Sequence, residues 1–327
     1  EPRSHYEQRE GHWITEPSWP SPNVARTEFA LGSDGSLGAE GAPDAPLSLT
    51  SPLWVGLQGG KWCSYAHPGD QPSDQRRDDA GSLVFETEPL DADHAIAGDA
   101  RLTLTFRVDR PVAQVAVRLG DVAPDGAVTR VSYGLLNLTH RDGHETPQHL
   151  EPGRDYTVEV PFKHVAQIFR AGDRIRLSVS TSYFPIAWPA PEPVTLTLLP
   201  GRSSLSLPLR DASVDTAAGF EIPRAGPPLA LDFRAPPEAE WVVTEDRDTG
   251  LVTVEVRDHE GDAVISAQEF RHSAEGHEIY TILPPDPQSA TGKVTWVHEM
   301  SRGSWSVRTE TETVLTGDRD NFRIEAR

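Results

Sequence analysis

His140 and His144, in Thr139-His140-Arg141-Asp142-Gly143-His144-Glu145, are spaced as a metal-binding pair would be on a helix. Four-residue spacing turns two imidazoles the same way only on a helix. Asp142-Gly143 favours a loop, so the pair reads first as a polar turn. Asp121, Asp125 and Gly126 offer oxygen ligands of the calcium type, but Pro124-Asp125-Gly126 is before that a turn former. Cys63 stands beside Trp62 and close to His67. A cysteine nucleophile needs a lowered pKa and a paired base, and a lone cysteine is more often a small packed apolar side chain. A serine nucleophile on a strand-to-helix turn needs glycine on both sides, as in G-x-S-x-G. Ser304 in Arg302-Gly303-Ser304-Trp305 and Ser82 after Gly81 both lack the second glycine. There is no Walker loop and no G-x-G-x-x-G. No catalytic residue is assigned, and neither a metal nor a cofactor is expected.

The stretch from Gly59 to Gly81, GGKWCSYAHPGDQPSDQRRDDAG, holds the densest mixture of aromatic and charged residues. It has neither a two-residue nor a 3.6-residue period, so it reads as a long loop. Loops of this length in compact domains are functional or disordered, and its aromatics argue for order. Trp62, Tyr65, Asp74, Gln75, Arg76 and Asp79 are the candidate site residues, as pocket-lining or interface groups. The charged run Asp74, Arg76, Arg77, Asp78, Asp79 also reads as a salt-bridge network that pins the loop. Exposed Trp on such a scaffold could instead stack on sugars, as in a stand-alone carbohydrate-binding module.

Composition narrows the function classes. The formal net charge is -20, which disfavours nucleic acid and anionic membranes as partners. No apolar run approaches the length of a membrane span. Hydrophobic residues make up 37%, with eight Trp and ten Phe, enough to fill a core. Pro (29) and Gly (26) fall between apolar runs, as in a protein with many turns. Cys63 is the only cysteine, so no internal disulfide is possible; a reducing, cytoplasmic setting is expected. The chain begins at Glu1 and its only Met is Met300, which suggests a fragment, a processed product or a trimmed chain.

The elements that must position these residues are strands. Val112 to Leu119 and Val128 to Leu138 are two apolar runs joined by Asp121-Val122-Ala123-Pro124-Asp125-Gly126, and they read as a hairpin. Further strands are expected at 24–31, 47–57, 82–86, 100–108, 155–161, 174–181, 194–199 and 205–209. Lys163 to Phe169 is the one short helical candidate. Many short strands with turns between them predict an all-β jelly-roll β-sandwich of the galactose-binding-like kind. Residues 1–30 read as a surface-lying segment and first strand, 31–210 as the sandwich and 211–240 as a Pro/Ala-rich linker. Residues 241–327 read as a smaller antiparallel β domain, truncated at its end, with a hairpin signal at Asp246-Arg247-Asp248-Thr249-Gly250.

Several stretches, in order, resemble one family. They are Arg110-Pro111, Leu119-Gly120-Asp121-Val122-Ala123-Pro124-Asp125-Gly126, Tyr133-Gly134-Leu135-Leu136-Asn137-Leu138-Thr139-His140-Arg141, Glu151-Pro152-Gly153, Phe169 to Leu177, and Ser180-Thr181-Ser182-Tyr183-Phe184-Pro185. Gly69-Asp70-Gln71 through Asp74-Gln75-Arg76 to Asp79, leading into Gly81-Ser82-Leu83-Val84-Phe85, joins them. The set resembles the C-terminal, non-catalytic jelly-roll domain of X-Pro dipeptidyl-peptidase and cocaine-esterase-like (CocE/NonD) serine hydrolases. It covers roughly residues 12 to 210, and residues 241 to 315 are similar to the extra β module of longer members. The resemblance implies an N-terminal α/β-hydrolase domain as partner, on the same or a separate polypeptide, carrying the Ser, Asp and His of an esterase or dipeptidyl-peptidase. No residue here matches that triad. It further implies that the jelly roll packs on the catalytic domain and helps wall its substrate pocket, with homo-oligomer contact as a further role.

Overall fold

The computed structural model describes residues 11–38, 42–63, 68–214, 219–221 and 224–327. The chain divides into two compact units, residues 1–62 with 71–218, and residues 63–70 with 219–327.

The first unit is built from short strands: β1 Val24–Leu31, β2 Leu37–Gly38, β3 Leu47–Leu49, β4 Leu83–Glu86, β5 His94–Gly98, β6 Arg101–Val108, β7 Gln114–Val122, β8 Val128–Asn137, β9 Tyr156–Pro161, β10 Val165–Phe169, β11 Arg174–Ser180, β12 Leu196–Leu198 and β13 Ser204–Arg210. One sheet runs β10-β5-β13-β6-β12-β3, with β1 joined to β13 and β9 to β6. The other is four-stranded, β4-β11-β7-β8. Neighbours are mostly non-consecutive in sequence, as a jelly-roll β-sandwich requires. The period-two pattern sorts the faces. On β7, Val115, Val117 and Leu119 join the core, as do Ile175, Leu177 and Val179 on β11. Leu102, Leu104, Phe106, Leu205 and Leu207 meet them from the larger sheet. Each such side chain contributes roughly 1.5–3 kcal/mol by leaving water.

The expected hairpin forms. β7 and β8 pair antiparallel, from Gln114↔Asn137 to Val122↔Val128. Gly126 closes the turn at φ +84, a left-handed conformation that costs glycine little. Its N–H donates to the Ala123 carbonyl at 2.8 Å. The register slips by one residue where Leu119 faces Ser132 but Gly120 faces Arg130, so Val131 is the extra residue of a β-bulge.

Two expectations at the level of elements are corrected. Lys163 to Phe169 is no helix: Val165–Phe169 is strand β10, paired with β5 from Val165↔Gly98 to Phe169↔His94. The β-branched Val165 and Ile168 suit that edge, and Phe169 is buried in the core. Of the strand expected over 47–57, only Leu47–Leu49 is extended; residues 53–59 make turns. Strand β5, Ala-rich and short, was not legible as a strand.

The second unit is a seven-stranded antiparallel sheet of β14 Leu231–Ala235, β15 Glu238–Glu245, β16 Val252–Ile265, β17 Phe270–Leu283, β18 Asp286–Arg302, β19 Trp305–Gly317 and β20 Phe322–Ala326. Strand β14 falls within the segment read as a linker. The Asp246–Gly250 turn joins β15 to β16, its Asp246 Oδ1 accepting from the N–H groups of Asp248 and Thr249. The sheet has unlike faces. Val252, Val254 and Val256 are buried on one. Glu255, Arg257 and His277 project from the other, with His277 Nε2 2.6 Å from Glu255. Trp296 lies across Gly276, where an added Cβ would stand 2.6 Å from the indole.

Candidate functional site

The core-averted face of the four-stranded sheet should be polar and solvated if it were an ordinary outer face. The same alternation that buries Leu177 and Leu119 turns Arg176, Ser178, Ser180, Ala116 and Arg118 outward. Yet Arg118 is only 2% exposed, because residues 51–59 and 71–81 are laid over this face. A buried guanidinium demands a counter-charge. Asp79 provides it from the short helical turn Arg76–Asp79. Its Oδ1 accepts from Arg118 Nη2 at 2.9 Å and from Ser178 Oγ at 2.7 Å, and its Oδ2 from Arg176 Nη1 at 2.7 Å. Arg176 is shared with Glu86 on β4 through its Nε at 2.8 Å. Ser82 Oγ accepts a further bond from Arg118 Nη2 at 2.9 Å.

Asp78, beside it, is buried in a different way. Burial pushes its carboxyl up to about 6, against the opposing pull of the Arg118 charge and of the Gly56 and Gln58 N–H groups. Gln75 is also buried. Its Nε2 donates to the carbonyls of Gln58 and Ser73 at 2.8 and 2.7 Å, and its N–H bonds the Val128 carbonyl at 3.0 Å. These residues tie the covering segment both to itself and to the start of β8. Gly56 seals the contact at φ +114. A Cβ there would stand 2.5–2.6 Å from backbone atoms of Tyr183 and Phe184.

An aromatic and cationic cluster adjoins this anchor. Tyr183 is buried, with Val55 and Ala116 against it. Arg130 Nη1 donates to Tyr183 Oη at 2.6 Å and to the Gly59 carbonyl at 2.8 Å. The Arg130 guanidinium lies 4.5 Å from the centre of the Tyr133 ring. Trp62 meets Tyr133 edge-on, with centroids 6.5 Å apart and planes at 83°. Lys163 Nζ sits 4.5 Å from the Trp62 centroid. Trp62 is nevertheless 62% exposed.

The six candidate residues thus separate. Gln75 and Asp79 are interior anchors. Asp74 and Arg76 form an exposed pair, 2.7 Å apart, at the surface. Trp62 presents an apolar ring outward. Tyr65 lies outside the described residues, as does His67. Sequence reading missed Arg118, Arg176, Arg130, Tyr133 and Tyr183. Arg118, flanked by Val117 and Leu119 in an apolar strand, was the available signal.

The arrangement is a closed scaffold with one open aromatic edge. Asp79 and Glu86 are engaged by guanidinium groups, and among the described residues no group of three or more His, Cys, Asp or Glu could hold a metal ion. His140 and His144 face each other Nδ1 to Nδ1 at 3.0 Å on an exposed turn. That turn is set by Asn137, whose Oδ1 accepts from the Thr139 N–H at 3.0 Å, and by Arg141, which donates to the carbonyls of Leu138 and Gln148.

The family model for the X-Pro dipeptidyl-peptidase C-terminal non-catalytic domain matches residues 1–221. A cocaine esterase from Rhodococcus sp. (strain MB1 Bresler) is 30% identical over 190 residues, covering 53% of this chain and 32% of that enzyme. The chain therefore spans about a third of the length of that relative. Among solved structures, an aminopeptidase from a marine sediment Thaumarchaeota archaeon superimposes with a TM-score of 0.53 at 20% identity, over 60% of this chain and 38% of the other, a likeness of fold. An α-amino acid ester hydrolase matches at 21% identity over 56% of this chain and 36% of the other, with a TM-score of 0.49.

Proposed function

The chain belongs to the X-Pro dipeptidyl-peptidase C-terminal non-catalytic domain family, and from that premise we propose that it docks on the α/β-hydrolase domain of a serine hydrolase and helps wall that domain's substrate pocket. The parent reaction is hydrolysis of an ester or of an X-Pro peptide or amide bond. One observation carries the reading. Trp62 holds a mostly exposed indole between Tyr133 and the Lys163 ammonium, next to a loop fixed from beneath by a buried ion-pair network. A large apolar ring held in place and left open is the pattern of an interface anchor.

The role is one of shape and not of bond-making. Trp62 offers apolar area, Lys163 and Arg130 offer cationic edges, and Asp79 keeps the platform in register. The test has two arms. The purified chain should show no ester turnover sensitive to an organophosphate; clear turnover would overturn the reading. In the enzyme assembled with its catalytic domain, Trp62→Ala should alter KM or the docking affinity about tenfold, the effect of losing one good interface anchor. An unchanged enzyme would remove Trp62 from the pocket and the interface alike.

The exposed indole also suits a carbohydrate-stacking module. That second reading requires Trp fluorescence to shift on titration with sugars, with the shift absent in Trp62→Ala.

A further inference from the structure

Met300, the chain's only methionine, lies on β18 of the second unit. Register fixes its neighbours. Met300 stands opposite His272 of β17, and His298 opposite Ala274. Residues two apart on a strand share a face, so His272, Ala274, His298 and Met300 form one square on one side of the sheet. The pairing of Val256 with Glu278 and of Gly276 with Trp296 puts that square on the side of Val254, Val256 and Trp296. Ala274 is buried and small, and it fills little of the space beside the two rings.

The charges nearest in sequence are turned the other way. Asp262, Arg271 and Glu299 lie on the opposite face, where Arg271 Nε is 2.8 Å from Asp262 and Arg271 Nη1 is 3.3 Å from Glu299. His272 and His298 have ring contacts instead. Their centroids are 6.3 Å apart with planes at 44°, and His298 stacks on Trp296 at 5.6 Å and 16°. Among the described residues neither ring makes a hydrogen bond or an ion pair. Two half-buried imidazoles without a polar partner are a cost to the fold. Their ring nitrogens are not sealed from solvent, so an ion can reach them. With metal–nitrogen bonds of about 2 Å, an ion bound by an imidazole stands about 3 Å from the ring centre. Two rings 6.3 Å apart therefore have room for one ion between them.

We propose that His272, His298 and Met300 form a binding site for a soft monovalent metal ion, Cu(I). The donor set chooses the ion. Two neutral imidazoles and one thioether carry no charge and include no carboxylate, so they suit neither Mg²⁺ nor Ca²⁺, which take oxygen ligands. A thioether favours Cu(I) among the common metal ions, and imidazole binds copper as well. Trp296, stacked on His298, fixes the plane of that ring, as the partners behind metal-binding imidazoles do. Strands β17 and β18 hold all three ligands at fixed register, so little ordering remains to be done when the ion arrives. The inference is independent of docking on a hydrolase domain, because it uses only the second unit.

The test uses the whole chain carrying Cys63→Ser, which removes the exposed thiol as a rival soft ligand. Titration with Cu(I) under anaerobic conditions, in competition with the chelator bicinchoninate, should show one equivalent bound per chain. The side-chain NMR signals of His272 and His298 should both shift as that equivalent is added. Met300→Leu keeps size and apolar character, and should leave circular dichroism and melting unchanged. It should weaken Cu(I) binding about tenfold or more, since loss of even an outer-shell partner costs a metal site that much. His272→Gln should weaken it likewise. Binding of equal strength in both variants would place the ion elsewhere and overturn the proposal. So would a titration in which the chelator keeps all the copper, or shifts confined to other histidines. The NMR arm alters no residue of the site, so it decides the matter even where a variant fails to fold.

Discussion

Arg118 and Asp79 meet at 2.9 Å with side-chain exposures of 2% and 6%, joining the middle of β7 to the covering loop. Taking both charges out of water costs several kcal/mol each, and their mutual attraction with added hydrogen bonds offsets this. The pair is thus less a source of net stability than a specification of where the loop must lie.

Removing one partner should be far worse than removing both. Asp79→Ala leaves Arg118 buried without its closest counter-charge and should cost about 3–5 kcal/mol in urea unfolding. Replacing Arg118 by Met together with Asp79→Leu should recover a substantial part of that loss. A double variant as unstable as Asp79→Ala would show that the ion pair contributes net stability.

Asp78 should give the fold a pH dependence of opposite sign to that of most carboxylates. Its folded-state value of about 6 lies above the ordinary 3.8, so the protonated form is the one the fold favours. Its contribution is complete below about pH 4 and is lost as pH rises through about 6. Relative to Asp78→Asn, the unsubstituted protein should lose up to about 3 kcal/mol between those limits and neutral pH, at about 1.4 kcal/mol per pKa unit. Parallel unfolding curves at pH 4.5 and 7.5 for both proteins check this, and a constant difference between them would refute it.

Gly56→Ala should loosen the covering loop. The added methyl meets the Tyr183–Phe184 backbone, which cannot swing aside as a flexible side chain would, and the left-handed φ adds strain. A loss of about 2–4 kcal/mol is expected. Faster limited proteolysis between Gly59 and Gly81 would locate the effect.

Trp62 and Tyr183 should behave in opposite ways despite their nearness. Trp62→Ala removes a mostly exposed ring and should change the stability of the chain by no more than about 0.5 kcal/mol. Tyr183→Phe deletes the acceptor of Arg130 in a buried setting and should cost about 1–3 kcal/mol. Thermal melts of both variants separate surface display from support.

Gly276→Val should destabilise the second unit and spare the first. Its side chain would displace the Trp296 indole from the apolar face of that sheet. Chemical denaturation read by Trp fluorescence, with hydrogen exchange to assign the unit affected, tests this.

The β7–β8 hairpin was legible because both its signals are local: two apolar runs, and Pro124-Asp125-Gly126 between them. The family was legible from an ordered set of such local stretches. The buried network was not. Alternation says that Arg118 and Arg176 point away from the core, but it is silent on what is laid over them. Asp79 reaches Arg118 from 39 residues away, and nothing in the Gly59 to Gly81 stretch distinguishes Asp79, which is buried, from Asp74, which is only half-buried at the surface. Lys163 to Phe169 misled for a related reason. A seven-residue segment with four apolar side chains fits about two turns of a helix or one strand, and the partner that decides between them, β5, carries little β signal of its own.

The bulge at Val131 has a consequence for how this strand can vary. Arg130 and Tyr133 are three residues apart and still share one face, which regular pleating forbids. Val131 absorbs the odd residue and itself turns into the core. Were the ladder regularised with Val131 kept and the hairpin turn held in position, every residue from Ser132 onward would change sides. Tyr133 would move into the interior, and Trp62 would lose the ring it rests against. No single replacement elsewhere could undo that inversion. Deleting Val131 would instead restore regular alternation and keep Tyr133 on its present face, whereas one more residue between Val128 and Tyr133, without a second bulge, would turn Tyr133 inward.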